Sequence, residues 1–138
     1  MKINQKIKKV AFIGMGLINS SLARDLKIKK FYLSSSAYSR RPSTINKIKK
    51  LKLVDVASSN IEKTIKEADI IIIGIPVAAY QEVFKKICNN IKPEAIITDV
   101  GSVKKEVINS VKKYIPKNID FVPGHPIAGT ENSGPESG

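Results

Sequence analysis

Val10-Ala-Phe-Ile-Gly-Met-Gly-Leu-Ile-Asn-Ser-Ser-Leu-Ala23 is the stretch whose reading decides the fold. A short apolar run closes on Gly14, a second glycine follows at Gly16, and Leu17, Ile18, Leu22 and Leu26 then recur at helical spacing. The pattern predicts a strand over 8–14, a tight turn, and a helix over 17–27. In that context Gly14 permits the turn, and Gly16 lets the backbone approach a diphosphate. The positive end of the helix, at Leu17 and Ile18, then faces the anion. The third position of the G-x-G-x-x-G pattern is Asn19, where glycine normally serves close packing of helix on strand, and Ser20 and Ser21 keep the next positions small. Dinucleotide binding is the reading preferred to a merely structural turn.

Working outward, apolar runs and helical stripes alternate to the end of the chain. Strands are expected over 34–39, 69–74, 95–99 and 120–122, the strongest being Asp69-Ile-Ile-Ile-Ile-Gly74. Helices are expected over 43–51 capped by Ser43, over 60–68 capped by Asn60, over 77–89, and over 102–114 capped by Ser102 and stopped by Pro116. Alternation of this kind implies right-handed βαβ units. The expected fold is therefore α/β, a Rossmann-like doubly wound domain with a mainly parallel sheet.

The whole-chain properties narrow the function classes. At 138 residues the chain is one domain, 1–138. The longest apolar run, 70–79, is about half of what a membrane span needs, and Gly74 and Pro76 interrupt it. Lysines ahead of 10–18 imitate a signal peptide, but Gly14 and Gly16 break the apolar segment. Cys88 has no intramolecular partner, which suits a reducing, cytoplasmic setting, and reads as a small buried helix residue. The net charge of +12 invites a nucleic-acid partner. Yet the cations are mostly lysine pairs scattered along the chain, without interleaved aromatics, so a solvated surface is preferred and no nucleic-acid or membrane partner is expected.

Ser39-Arg40-Arg41 stands about 20 residues past the third motif position, where an NAD-binding domain usually carries an acid for the ribose hydroxyls. A hydroxyl and two guanidinium groups suit a 2′-phosphate instead. Those two are among only three arginines in the chain, so NADP is expected over NAD.

Ligands of such sheets bind outside the carboxyl ends of the strands. Three segments converge there: Gly74-Ile-Pro76-Val77, Asp99-Val-Gly101-Ser102, and Pro123-Gly-His-Pro-Ile-Ala-Gly-Thr-Glu-Asn-Ser-Gly134. Pro76 reads either as a helix-starting proline or as part of the cofactor wall, with Gly101 beside the cofactor and Asp99 closing a turn. His125, the only histidine, lies in a loop shaped by glycine and proline and is a candidate base. No metal site is expected.

Gly14-Met-Gly-Leu-Ile-Asn-Ser-Ser-Leu-Ala23, Thr98-Asp-Val-Gly-Ser-Val-Lys104 and Gly124-His-Pro-Ile-Ala-Gly-Thr-Glu-Asn-Ser-Gly-Pro-Glu136 together resemble the prephenate/arogenate (cyclohexadienyl) dehydrogenases of tyrosine biosynthesis. The resemblance runs the length of the chain in order and spacing. Its histidine-loop motif is specific and its glycine motif is not. Asn19 departs from the family's usual glycine, and Ser39-Arg-Arg from the acid of NAD-preferring members. The resemblance implies hydride transfer from a cyclohexadienol to the nicotinamide, with loss of carbon dioxide and aromatisation of the ring. It makes His125 the base on the substrate hydroxyl and puts Ser102 near that hydroxyl and the nicotinamide. Thr130 and Glu131 match residues lining the substrate pocket. It also implies a helical second domain that dimerises and supplies basic groups for the substrate carboxylates. The sequence ends inside the glycine-rich loop, so a truncated cofactor domain, weak or inactive alone, is expected. The alternatives are a β-hydroxyacid-type NADP-dependent oxidoreductase and a non-catalytic dinucleotide-binding module.

Overall fold

Period-two alternation along β1 (Ile7–Ile13) divides the core between two faces. Val10 and Phe12 point one way and Ala11 and Ile13 the other, and all four are fully buried. The computed structural model describes residues 7–102, 104–126 and 134–137. In chain order the elements after β1 are α1 (Leu17–Ile28), β2 (Tyr32–Tyr38), α2 (Pro42–Lys50), β3 (Val56–Ser58) and α3 (Ile61–Ile65). β4 (Ile70–Ile73), α4 (Tyr80–Ile87), β5 (Ile96–Asp99), α5 (Lys104–Val111) and β6 (Asp120–Pro123) follow. The six strands are all parallel, in the order β3-β2-β1-β4-β5-β6. This is the expected Rossmann-like architecture.

Helices cover both faces. Ala23 of α1 and Ile48 of α2 join Val10, Phe12, Ala37 and Ile72 in one cluster. Residues of α3, α4 and α5, among them Ile65, Phe84 and Val107, join Ala11, Ile13, Ile71, Ile73 and Ile97 in the other. Over β5 and β6 the first of these faces stays open among the described residues. Ile96 is 38% and Val122 53% exposed there.

The elements fall where the sequence places them, with local differences. α2 begins on Pro42 with Arg41 as its cap, so Ser43 lies inside the first turn and does not cap it; proline is preorganised for the first helical position and claims it. Asn60 caps α3 as expected, its Oδ1 accepting from Lys63 N–H at 2.8 Å, but the helix stops at Ile65 and Glu67 turns the chain at φ 59°. The helix expected from Val77 opens as a 3-10 turn, Val77–Ala79. β3, only three residues long, was too short for the strand pattern to reveal. Cys88 is half-buried at the end of α4 rather than enclosed.

At the amino edge of the sheet Asp69 ties three segments. Its carboxylate accepts from Lys8 N–H at 2.8 Å, Lys9 N–H at 3.0 Å and the Lys92 ammonium. Partial burial alone would push its pKa up, but these donors outweigh that and hold it below the ordinary carboxylate value.

α1 and α2 end alike. Lys30 and Lys52 both sit at φ 51°, with Phe31 N–H bonded to Leu26 O and Leu53 N–H to Ile48 O, the Schellman arrangement that glycine normally serves. Lys30→Gly removes the side-chain penalty of the left-handed conformation and is expected to stabilise the protein by about 0.5–1 kcal/mol. A denaturation midpoint that moves up at unchanged m-value checks it.

Candidate active site

Strand register sets the working edge. Tyr38, Ile13, Ile73, Asp99 and Pro123 are paired in one row across β2, β1, β4, β5 and β6. The next residues along, Ser39, Gly14, Gly74, Val100 and Gly124, therefore leave the sheet side by side at its carboxyl edge. Ser102 and His125 follow on the same rim as the glycine turn. Chain direction reverses its winding between β1 and β4, the switch point at which such sheets hold ligands.

At that point the backbone is tightly nested. Gly14 has φ +85°, and a Cβ there would stand 2.3 Å from Gly74 O. A Cβ on Gly74 would meet Asn19 Nδ2 at 2.5 Å. Asn19, buried, donates from Nδ2 to Gly14 O at 2.7 Å and reaches Ile72 O at 3.5 Å. The departure from glycine at the third motif position is thus accommodated: the side chain occupies space left by Gly74 just past β4, and its amide braces the turn.

The opening of α1 suits an anion. Gly16 caps it without a side-chain hydrogen bond, no acid lies in the first turn, and a Cβ on Gly16 would meet nothing within 4 Å. Amide donors at Leu17 and Ile18 are among those a helix start leaves unbonded within the helix. These features fit the diphosphate of a dinucleotide.

Beyond β2, Ser39 N–H donates to Ser58 O at 3.2 Å, and Ser39 Oγ accepts from Arg41 N–H at 3.3 Å. Arg40 and Arg41 are exposed, and no acid occupies the first turn of α2. Arg40 also adds its field to the Lys86 ammonium, whose hydrogen bond chiefly holds the Glu82 carboxyl below its usual value. Pro76 is exposed and opens the 3-10 turn after β4.

On the other side of the switch point, Ser102 and His125 are exposed and Gly101 is half-buried. Thr130 and Glu131 lie outside the described residues, as does Val103 between Ser102 and α5. The sequence reading gave Asp99 only a turn to close. In the fold its buried carboxylate links four segments: Oδ2 accepts from Tyr80 Oη at 3.0 Å, Gly101 N–H at 2.9 Å and the Lys104 ammonium, and Oδ1 accepts from Gly124 N–H at 3.1 Å. Burial first, and the adjacent carboxylate second, push the Tyr80 phenol well above its ordinary pKa. The available signal was an acid ending a parallel strand between two glycine-bearing loops. No cluster of three or more metal-ligating side chains occurs among the described residues, and no described helix is long and apolar enough to cross a membrane.

A parallel sheet in this order, with a glycine turn opening the first helix at the switch point, defines a Rossmann-type nucleotide-binding domain. Residues 22–138 match the family described as prephenate dehydrogenase, nucleotide-binding domain. The cyclohexadienyl dehydrogenase of Zymomonas mobilis is 37% identical over 131 residues, which is 95% of this chain and 44% of that protein. Prephenate dehydrogenase of Aquifex aeolicus, solved with hydroxyphenyl propionate and NAD+, superposes with a TM-score of 0.85 at 30% identity, covering 96% of this chain and 46% of that one. Synechocystis arogenate dehydrogenase gives 0.82 at 32% identity, covering 94% and 44%. The chain belongs to the prephenate dehydrogenase family, through its nucleotide-binding domain, and spans less than half the length of each of these relatives.

Proposed function

We propose that this chain is the cofactor-binding part of a prephenate or arogenate dehydrogenase, working with a helical domain that completes the substrate pocket and dimerises. The observation that carries the reading is the shared carboxyl rim, which sets the Gly14–Gly16 turn and the Ser102 and His125 loops on either side of the β1/β4 switch point. The open face with Ile96 and Val122 gives a further domain apolar surface to cover.

When bound, the nicotinamide supplies the hydride acceptor. Gly14, Gly16 and the first-turn amides of Leu17 and Ile18 would hold the diphosphate, and Pro76 and Gly101 would wall the cofactor. His125 would take the proton of the ring hydroxyl as general base. Ser102 would hold that hydroxyl toward the cofactor, and the family resemblance assigns Thr130 and Glu131 to substrate contact. Loss of the C4 hydrogen as hydride and of the ring carboxylate as carbon dioxide would leave an aromatic phenolate, to which His125 would return the proton; aromatisation supplies the driving force. Orientation of C4 is the protein's main contribution.

Ser39, Arg40 and Arg41 favour NADP over NAD, because two guanidinium groups and a hydroxyl supply charge-assisted donors at the end of β2. Replacing both arginines by alanine is expected to weaken NADP binding by roughly 10–100-fold and to leave NAD within about threefold. Titration of the complete protein with each cofactor checks this; equal losses for both would return the pair to the role of surface cations. Steady-state kinetics with prephenate and arogenate crossed against NAD and NADP test the whole reading. Failure to oxidise either substrate with either cofactor would overturn it.

A further inference from the structure

We infer that Asp99 is the positioning residue of this site, one buried carboxylate fixing the separation between Ser102 and His125; the inference rests on the function proposed above. Each of its oxygens holds the residue just before one of the two loop groups. Oδ2 receives Gly101 N–H, next to Ser102, and Oδ1 receives Gly124 N–H, next to His125. Both loops pack closely on Asp99, Gly101 against its carboxylate and Gly124 against its main-chain oxygen. A Cβ on Gly101 would stand 2.8 Å from Asp99 Oδ2, and one on Gly124 would stand 2.6 Å from Asp99 O. The loops therefore close directly onto the acid with no side chain between.

The carboxylate is itself held from behind. Asp99 is 2% exposed, and Tyr80, fully buried on α4, and Lys104 at the start of α5 both bond its Oδ2. A buried charge needs such partners. They also fix the carboxylate plane, so the two glycine amides are referred to one rigid group. β5, β6, α4 and α5 thereby share a single reference point at the rim. Asp99 itself acts through the loops, on groups one residue further out.

Asp99→Asn keeps the volume while removing the charge and one shared acceptor. In the complete protein, kcat is expected to fall about 10²-fold, the scale of a 1 Å misplacement of reacting groups, with cofactor Kd unchanged within about twofold. In a His125→Asn background the same substitution should cost less than about threefold, because the group being positioned is already gone. Exchange of the Gly101 and Gly124 amides should quicken about tenfold while β1 and β4 keep their protection.

An unchanged kcat, an equal loss in both backgrounds, or exchange that quickens throughout the core would each overturn the inference. If Asp99→Asn does not fold, Tyr80→Phe decides: it removes one bond to the carboxylate and is expected to lower kcat about 3–10-fold, and no change would overturn the idea. A wild-type protein that oxidises neither substrate sinks the proposed function instead. The exchange measurement, which needs no substrate, then still decides whether Asp99 holds both loops.

Discussion

His125→Asn in the complete protein is expected to lower kcat by about 10²–10⁴-fold with cofactor affinity unchanged within about twofold, the range of a lost general base. Asparagine retains a hydrogen-bonding side chain of similar reach but does not accept a proton near neutral pH. The residue follows β6 and is exposed, so the fold loses little when it is replaced. The rate and the stability are therefore separable. The limb of the pH–rate profile that reports the base should also disappear. Steady-state kinetics over pH, with cofactor titration alongside, measure all three. Activity surviving within about tenfold would remove His125 from the chemistry and favour a β-hydroxyacid-type site or a non-catalytic module.

The two motif glycines separate folding from binding. Gly14→Ala is expected to destabilise the protein by about 2–4 kcal/mol, since it combines a left-handed backbone with a Cβ set against a main-chain oxygen. That oxygen, Gly74 O at 2.3 Å, belongs to the central strand's own exit and does not move without the sheet. Gly16→Ala meets no protein atom within 4 Å. It should change stability by no more than about 1 kcal/mol, the scale of a helix-cap substitution. The added methyl stands in the open space over the first turn of α1, where a diphosphate would lie, so cofactor affinity should still fall by at least about tenfold. Chemical denaturation and cofactor titration of the two variants read the difference. Gly16→Ala binding cofactor as well as wild type would make the turn structural only.

Much of this was legible before the fold was known, because the strong signals are local. Four consecutive isoleucines in β4 state a strand buried on both faces, and glycines after β1 state a turn at its end. Pro42 was equally visible, but its claim on the first helical position outranked the capping preference of Ser43. β3 went unseen because three residues carry no period, and pairing with β2 alone defines it. The role of Asp99 was hidden for a different reason. Its four partners, Tyr80, Gly101, Lys104 and Gly124, are spread over 45 positions of sequence and meet only when β5 and β6 pair. Side chains that unite distant segments leave no periodic trace.

The partnership of Asn19 with Gly74 has a consequence for how such turns are recognised. What the first crossover needs is a fixed volume between helix and sheet, and the chain divides that volume across two elements 55 positions apart. A signature written as letters within one loop scores Asn19 as a defect. A signature written as occupied space scores it as the other half of a glycine at the exit of the neighbouring strand. Substitutions at the two sites are then coupled, and a lineage holding asparagine at the first is barred from alanine at the second until the first reverts.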